Sequence, residues 1–167
     1  MEISANTVKE LRQKTGAGVM DCKKALTEAG GDFDKACAII AERGLAIAKK
    51  KSDRVAEQGL IECYVHTGNH LGVMIEINCE TDFVARTPEF RELAHNVALQ
   101  VSAMAPLYVS KDDMPSGAEE DPAAVCLLLQ PFIKDPAKSI QDIITETVAK
   151  TGENIKVRRF VRFELGY

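Results

Sequence analysis

Apolar residues over the first fifty positions recur with the three-to-four spacing of short helices. Val8 and Leu11 form the first stripe, behind Ser4 as a candidate N-cap, and the glycines of "TGAG" at 15–18 end it. "VMDCKKALTEAGG" predicts a second helix with Cys22, Ala25 and Leu26 inward, stopped by Gly30 and Gly31. Asp32 caps a third, "FDKACAIIAERG", burying Phe33, Ala36, Ile39 and Ile40. "LAIAKKKSDRVAEQ" then reads as a connection. Helices this short make a small bundle at best.

Beyond it the period changes to two. "GLIECYVH" places Ile61, Cys63 and Val65 on one face, and "LGVMIEINC" does the same for Val73, Ile75, Ile77 and Cys79. "TGN" between His66 and His70 supplies the hairpin turn. Thr87, Pro88 and Glu89 form a cap, an N1 proline and an early acid, opening a helix to about Met104. Its apolar side is Phe90, Leu93, Ala94, Val97 and Val101. "PLYVS" suggests a short strand, "KDDMPSGAEEDP" a loop, and Asp121–Pro122 the start of a helix over "AAVCLLLQ". Ser139 and Asp142 form a capping box for a helix ended by Gly152. "IKVRRFVRFELG" alternates again, setting Val157, Val161, Phe163 and Leu165 against Arg158, Phe160, Arg162 and Glu164. The expected fold is α+β: a three-helix unit with its basic linker over residues 1–53, then a core over 54–167 in which helices cover an antiparallel three-stranded sheet.

Composition narrows the function more than the fold. The chain has 167 residues, 46% of them hydrophobic, and a net charge of −4. That balance builds a core and offers phosphate backbones or anionic lipids no bulk attraction. Tryptophan is absent and aromatics are few, so base stacking on single strands has little to use. No nucleic-acid or membrane partner is expected. Five cysteines without a Cys-x-x-Cys pair, no signal peptide and a Met1 start read as a reduced, cytoplasmic protein.

Enzymatic readings are thin. Cys63 or Cys79 could act as nucleophile with His66, His70 or His95 as base, but alternation puts both thiols inward, where cysteine is a small hydrophobe. The two turn histidines lack a third metal ligand at useful spacing, and no GxxxxGK[ST] or GxGxxG cradle is present. The run Lys49, Lys50, Lys51 and Arg54 reads as a charged linker. Val19 and Met20 open the second helix together; a bundle this small has trouble covering both, which leaves either cover by the core domain or a contact for another protein. "TDFV", residues 81–84, puts Asp82 and Phe83 in a connection; on pattern alone Phe83 tucks beneath the next helix.

The stretches "VKELRQKTGAGVMDCKKALTEAGGDFDKA" and "EINCETDFVARTPEF" strongly resemble the elongation factor Ts family, and "QPFIKDPAKSI" and "FVRFELG" resemble its ending. This resemblance implies a guanine-nucleotide exchange factor for elongation factor Tu that does no covalent chemistry and needs no cofactor. It also implies a ubiquitin-associated-like fold for the first three helices. Leu11, Val19 and Met20 would touch the GTPase's nucleotide-binding domain. Thr81, Asp82, Phe83 and Val84 would be the exchange element, with Asp82 and Phe83 entering near the GTPase's magnesium site. The length fits one core unit and no internal repeat, which resembles the short class in which two chains pair through their cores. The competing reading is an interaction module that works through the three helices alone.

Overall fold

The structure is a computed structural model describing residues 3–166; Met1, Glu2 and Tyr167, at the ends of the two expected units, lie outside it. In chain order it contains α1 (Ala5–Thr15), α2 (Val19–Glu28), α3 (Phe33–Lys51), β1 (Gln58–Val65), β2 (Leu71–Cys79), α4 (Asp82–Ala85) and α5 (Pro88–Met104). There follow α6 (Pro122–Val125), β3 (Pro131–Phe132), β4 (Asp135–Ser139), α7 (Ile140–Thr151) and β5 (Lys156–Glu164). The class is α+β, with helices first and an antiparallel sheet ordered β1–β2–β5 after them.

The N-terminal helices form where their caps dictate. The Ser4 hydroxyl accepts from the Thr7 N–H, and Gly16 closes α1 at φ 69°, a left-handed angle suited to glycine. Asp32 accepts from the Lys35 N–H at the start of α3, which holds its carboxyl below the ordinary range. Val8, Leu11, Cys22, Ala25, Leu26 and Ala36 form a small core of their own.

The third helix is longer than its pattern predicts. It passes through Gly44 and ends at Lys51, so half of the expected connection is helical. Glycine inside a helix costs about 1 kcal/mol relative to alanine. Gly44 is buried where α3 packs on α7, and a Cβ there would lie 3.4 Å from that of Ala149, about an ordinary van der Waals contact. Lys49, Lys50 and Lys51 occupy the last turn, where cations suit the helix dipole.

The larger core lies between the sheet and α5 and α7. Val73, Ile75 and Ile77 meet Phe90, Leu93, Val97, Ile144 and Val148 there. On β1 the expected phase is inverted. Leu60 pairs with Ile77, Glu62 with Ile75 and Tyr64 with Val73, so these β1 residues share the covered face. Ile61, Cys63 and Val65 therefore point outward. Alternation fixes a period but leaves its phase free where both faces carry apolar residues.

A bulge makes the second correction. Arg159 pairs with Glu76 and Val157 with Ile77, leaving Arg158 as an extra residue that reverses the faces of β5. Val157 is buried and Phe160 packs on the core, whereas Val161 and Phe163 face outward opposite Met74 and Gly72. Val157, Val161, Phe163 and Leu165 thus do not share one face. The sheet's outer surface exposes Ile61, Val65, Met74, Val161 and Phe163.

Elsewhere "PLYVS" contributes a single parallel bridge, Tyr108 to Cys126. The helix opened by Pro122 stops after one turn, where Cys126 becomes extended. The β3–β4 hairpin was hidden by its prolines and charges, and buried Gln100 secures it. Its Nε2 donates to Gln130 Oε1 at 3.2 Å and to the Pro131 carbonyl at 3.1 Å, and its Oε1 accepts from the Ile133 N–H at 2.9 Å. The Ser139–Asp142 capping box opens α7 and Gly152 closes it, as expected.

Candidate functional site

The connection after β2 is not a loop but a capped helical turn. Thr81 is extended at φ −129° and its hydroxyl accepts from the Val84 N–H at 3.4 Å, starting α4. Successive residues then point in different directions. Val84 packs on the main core and Ala85 is buried, while Phe83 is 79% exposed. No other large apolar side chain among the described residues is as exposed. The Thr87 hydroxyl donates to the Val84 carbonyl at 2.8 Å and accepts from the Phe90 N–H at 3.3 Å. The end of α4 is therefore bonded to the cap of α5, so Phe83 stands on a turn tied at both ends.

Asp82 is held as well. Arg86 Nη2 donates to its carboxylate at 2.8 Å across one helical turn. Both groups are largely exposed, so the pair contributes little stability; its effect is to orient the acid beside Phe83.

Behind this turn lies a polar knot that sequence reasoning missed. One oxygen of Glu153 accepts from the backbone N–H of Glu80 at 3.1 Å and of Thr81 at 3.0 Å. The other accepts from the Thr81 hydroxyl at 2.6 Å. The Glu80 carboxylate accepts from the Asn154 N–H at 2.7 Å and faces Arg54 at 3.3 Å. The Asn154 bond and then Arg54 hold it below the usual glutamate range. Buried Asn154 donates through Nδ2 to the carbonyls of Ser52 and Arg54, at 3.2 and 2.7 Å. Lys51 donates to the Gly152 carbonyl. Residues 152–154 read as an ordinary helix-ending turn, and their partners lie more than seventy residues away in the chain. No local pattern announces such a cluster.

The thiol reading fails on geometry. Cys79 is buried, donates to the Thr81 carbonyl at 3.1 Å, and is pushed up to about 11 by burial and by the charge of Glu153. A nucleophilic cysteine needs the opposite shift. Cys63 is exposed on the outer sheet face. His66 bonds Tyr64 and His95 bonds Glu62; among the described residues no histidine bonds either thiol. Nor do the described residues contain a cluster of metal-ligating side chains or a helix long and apolar enough to cross a membrane.

At the other end of the chain, Val19 and Met20 open α2 at 50% and 62% exposure. Leu11, expected to touch the GTPase, lies elsewhere on the exposure scale. It has no exposed surface and belongs to the small helical core, because its position on α1 faces α2 and α3.

Comparison with known proteins decides the family. Residues 1–125, well over half the chain, match the family described as Elongation factor TS. The Elongation factor Ts of Thermodesulfovibrio yellowstonii is 48% identical over 195 residues, spanning 99% of this chain and 98% of that protein. Its counterpart in Carboxydothermus hydrogenoformans is 47% identical over 194 residues, spanning 98% and 89%. The chain belongs to the elongation factor Ts family. Its setting is thus the elongation stage of protein biosynthesis. Both alignments run longer than the 167 residues here, so these elongation factor Ts relatives carry positions without a counterpart in this chain. Whatever those positions do in the relatives does not transfer.

Proposed function

We propose that this elongation factor Ts family member promotes GDP release from elongation factor Tu by inserting Phe83 into the GTPase near its magnesium site. The observation that carries the reading is the exposure of Phe83 on a turn capped at both ends. An exposed aromatic stabilises nothing in the free protein. Buried in a partner, it contributes about 1.5–3 kcal/mol, roughly ten- to a hundredfold in affinity. Because the turn is already ordered, little conformational entropy opposes insertion.

Exchange then follows from linkage. A factor that binds the nucleotide-free GTPase better than the GDP-bound form weakens GDP by the same ratio. Displacing the elements that hold the partner's magnesium removes charge compensation from the diphosphate. Asp82, oriented by Arg86, brings a negative charge into that region, where it competes for the groups around the metal and repels the diphosphate. No covalent intermediate forms, and incoming GTP displaces the factor by the reverse linkage.

Residues 1–53 and 54–167 are the two working units in this reading. The first presents Val19 and Met20 to the GTPase, with Leu11 supporting them from the core beneath. The second carries the Thr81–Val84 motif and pairs with a second copy through the outer sheet face. The Phe83→Ala variant tests the central claim. The rate of GDP release at saturating factor falls about tenfold or more, whereas stability moves by less than about 0.5 kcal/mol, as at other exposed sites. Stopped-flow release unchanged by this substitution sinks the insertion reading.

A further inference from the structure

We propose that Glu153 is a positioning residue for exchange, fixing the turn that carries Phe83. The inference rests on the insertion reading above and extends it to a side chain 72 residues beyond Thr81. Its carboxylate accepts three hydrogen bonds from Glu80 and Thr81, at 3.1, 3.0 and 2.6 Å. These donors are the last positions before α4 begins, so their orientation sets the direction in which Phe83 leaves the protein.

The chemistry suits a clamp. A carboxylate accepting from two adjacent backbone N–H groups fixes the peptide plane between them, and charge-assisted bonds of this kind are roughly twice as strong as neutral ones. The third bond governs the cap itself. When the Thr81 hydroxyl donates to Glu153, its lone pairs face the Val84 N–H, which is the bond that starts α4. Glu153 thus sets both the entry direction of the turn and the rotamer of its capping residue.

The clamp also has a fixed base. Glu153 lies between Gly152 and Asn154, which bond Lys51, Ser52 and Arg54 at the end of α3 and just beyond it. The chain leaving the N-terminal helices and the turn bearing Phe83 are therefore mounted on one three-residue segment. Loss of this clamp removes the charge-assisted bonds that fix the start of the turn, so Phe83 is no longer aimed by the segment behind it.

The test compares Glu153→Ala, Glu153→Gln and Phe83→Ala in stopped-flow GDP release from elongation factor Tu, each titrated to saturation. Glu153→Ala is expected to lower the saturating rate about tenfold. The half-saturating concentration changes less, because Val19 and Met20 still bind. Glu153→Gln keeps one oxygen for the two backbone donors and recovers most of the rate. A lowered melting temperature with an unchanged saturating rate overturns the positioning role. If Glu153→Ala does not fold, Glu153→Asp draws the carboxylate back by one methylene from all three donors, and unchanged release there overturns it equally. Slow release in Phe83→Ala beside normal release in Glu153→Ala rejects the clamp and leaves the insertion reading standing. Normal release in Phe83→Ala rejects the insertion reading itself.

Discussion

Phe83 and Phe163 are exposed to almost the same degree, 79% and 71%, yet they are mounted in opposite ways. Phe83 stands alone on a single helical turn, with capping threonines on both sides and Glu153 behind it. Phe163 lies in a sheet, opposite Gly72, beside a face that also carries Ile61, Val65, Met74 and Val161. In the proposed reading, the lone aromatic on its capped turn enters a partner. A broad apolar sheet face calls for another broad face, and in the proposed reading a second copy of the same chain supplies it. Exposure alone does not distinguish these uses; the backbone beneath the side chain does.

The largest expected effect breaks this comparison from the sheet side. Phe163→Asp places a charge where pairing would bury it, a cost of several kcal/mol when no partner group neutralises it. Analytical sedimentation should give twice the chain mass for the unaltered protein and the monomer mass for the variant. Phe83→Ala should leave the mass of the pair untouched. Should Phe163→Asp sediment like the unaltered protein, the outer sheet face is not where two copies meet.

A second contrast separates support from contact within the N-terminal helices. Leu11 has no exposed surface and Met20 is mostly exposed. Leu11→Ala removes a buried side chain and is expected to destabilise the protein by about 2–5 kcal/mol, read by thermal or denaturant melts. Met20→Ala should leave the melt unchanged and raise the half-saturating concentration for GDP release several-fold. Equal losses of stability in both variants would place Met20 in the core as well.

Much of this fold was legible because its punctuation is chemical. Ser4, Asp32, Thr87, Ser139, Gly16 and Gly152 each begin or end a helix as their side chains or backbone angles require. What stayed hidden was phase and distance. Residues 60–65 alternate on both faces, so only pairing with β2 could choose the inner one. The bulge at Arg158 shifts β5 by one residue without any glycine or proline to mark it. Gly44 looked like a stop and is a packing contact. At the site, "TDFV" was visible as a motif, but its pattern favoured a tucked Phe83, because apolar residues usually bury themselves. Thr81's cap is a local bond to the Val84 N–H, but Glu153's grip exists only once β2 and the end of α7 are adjacent.

The smallest expected effect concerns pH and returns to the two mountings. Glu80 in the knot and Glu76 on the sheet are both held below the ordinary value of 4.5. For Glu80 the first cause is the Asn154 backbone N–H; for Glu76 it is a hydrogen bond from Arg159, which is itself largely exposed. A carboxyl with a depressed folded value contributes stability above its unfolded value and loses it as pH falls through the folded one. Both variants, Glu80→Gln and Glu76→Gln, should therefore be less stable than the unaltered protein at pH 7, with the gap closing below about 4.5. Added salt separates them. It screens the exposed arginines around Glu76 and does little to a backbone donor packed against Glu80. In melts at pH 7 the Glu76→Gln gap should shrink as salt is raised, while the Glu80→Gln gap persists. A Glu80 gap that fades equally would mean that Arg54, rather than the backbone of Asn154, holds the carboxylate beneath the turn.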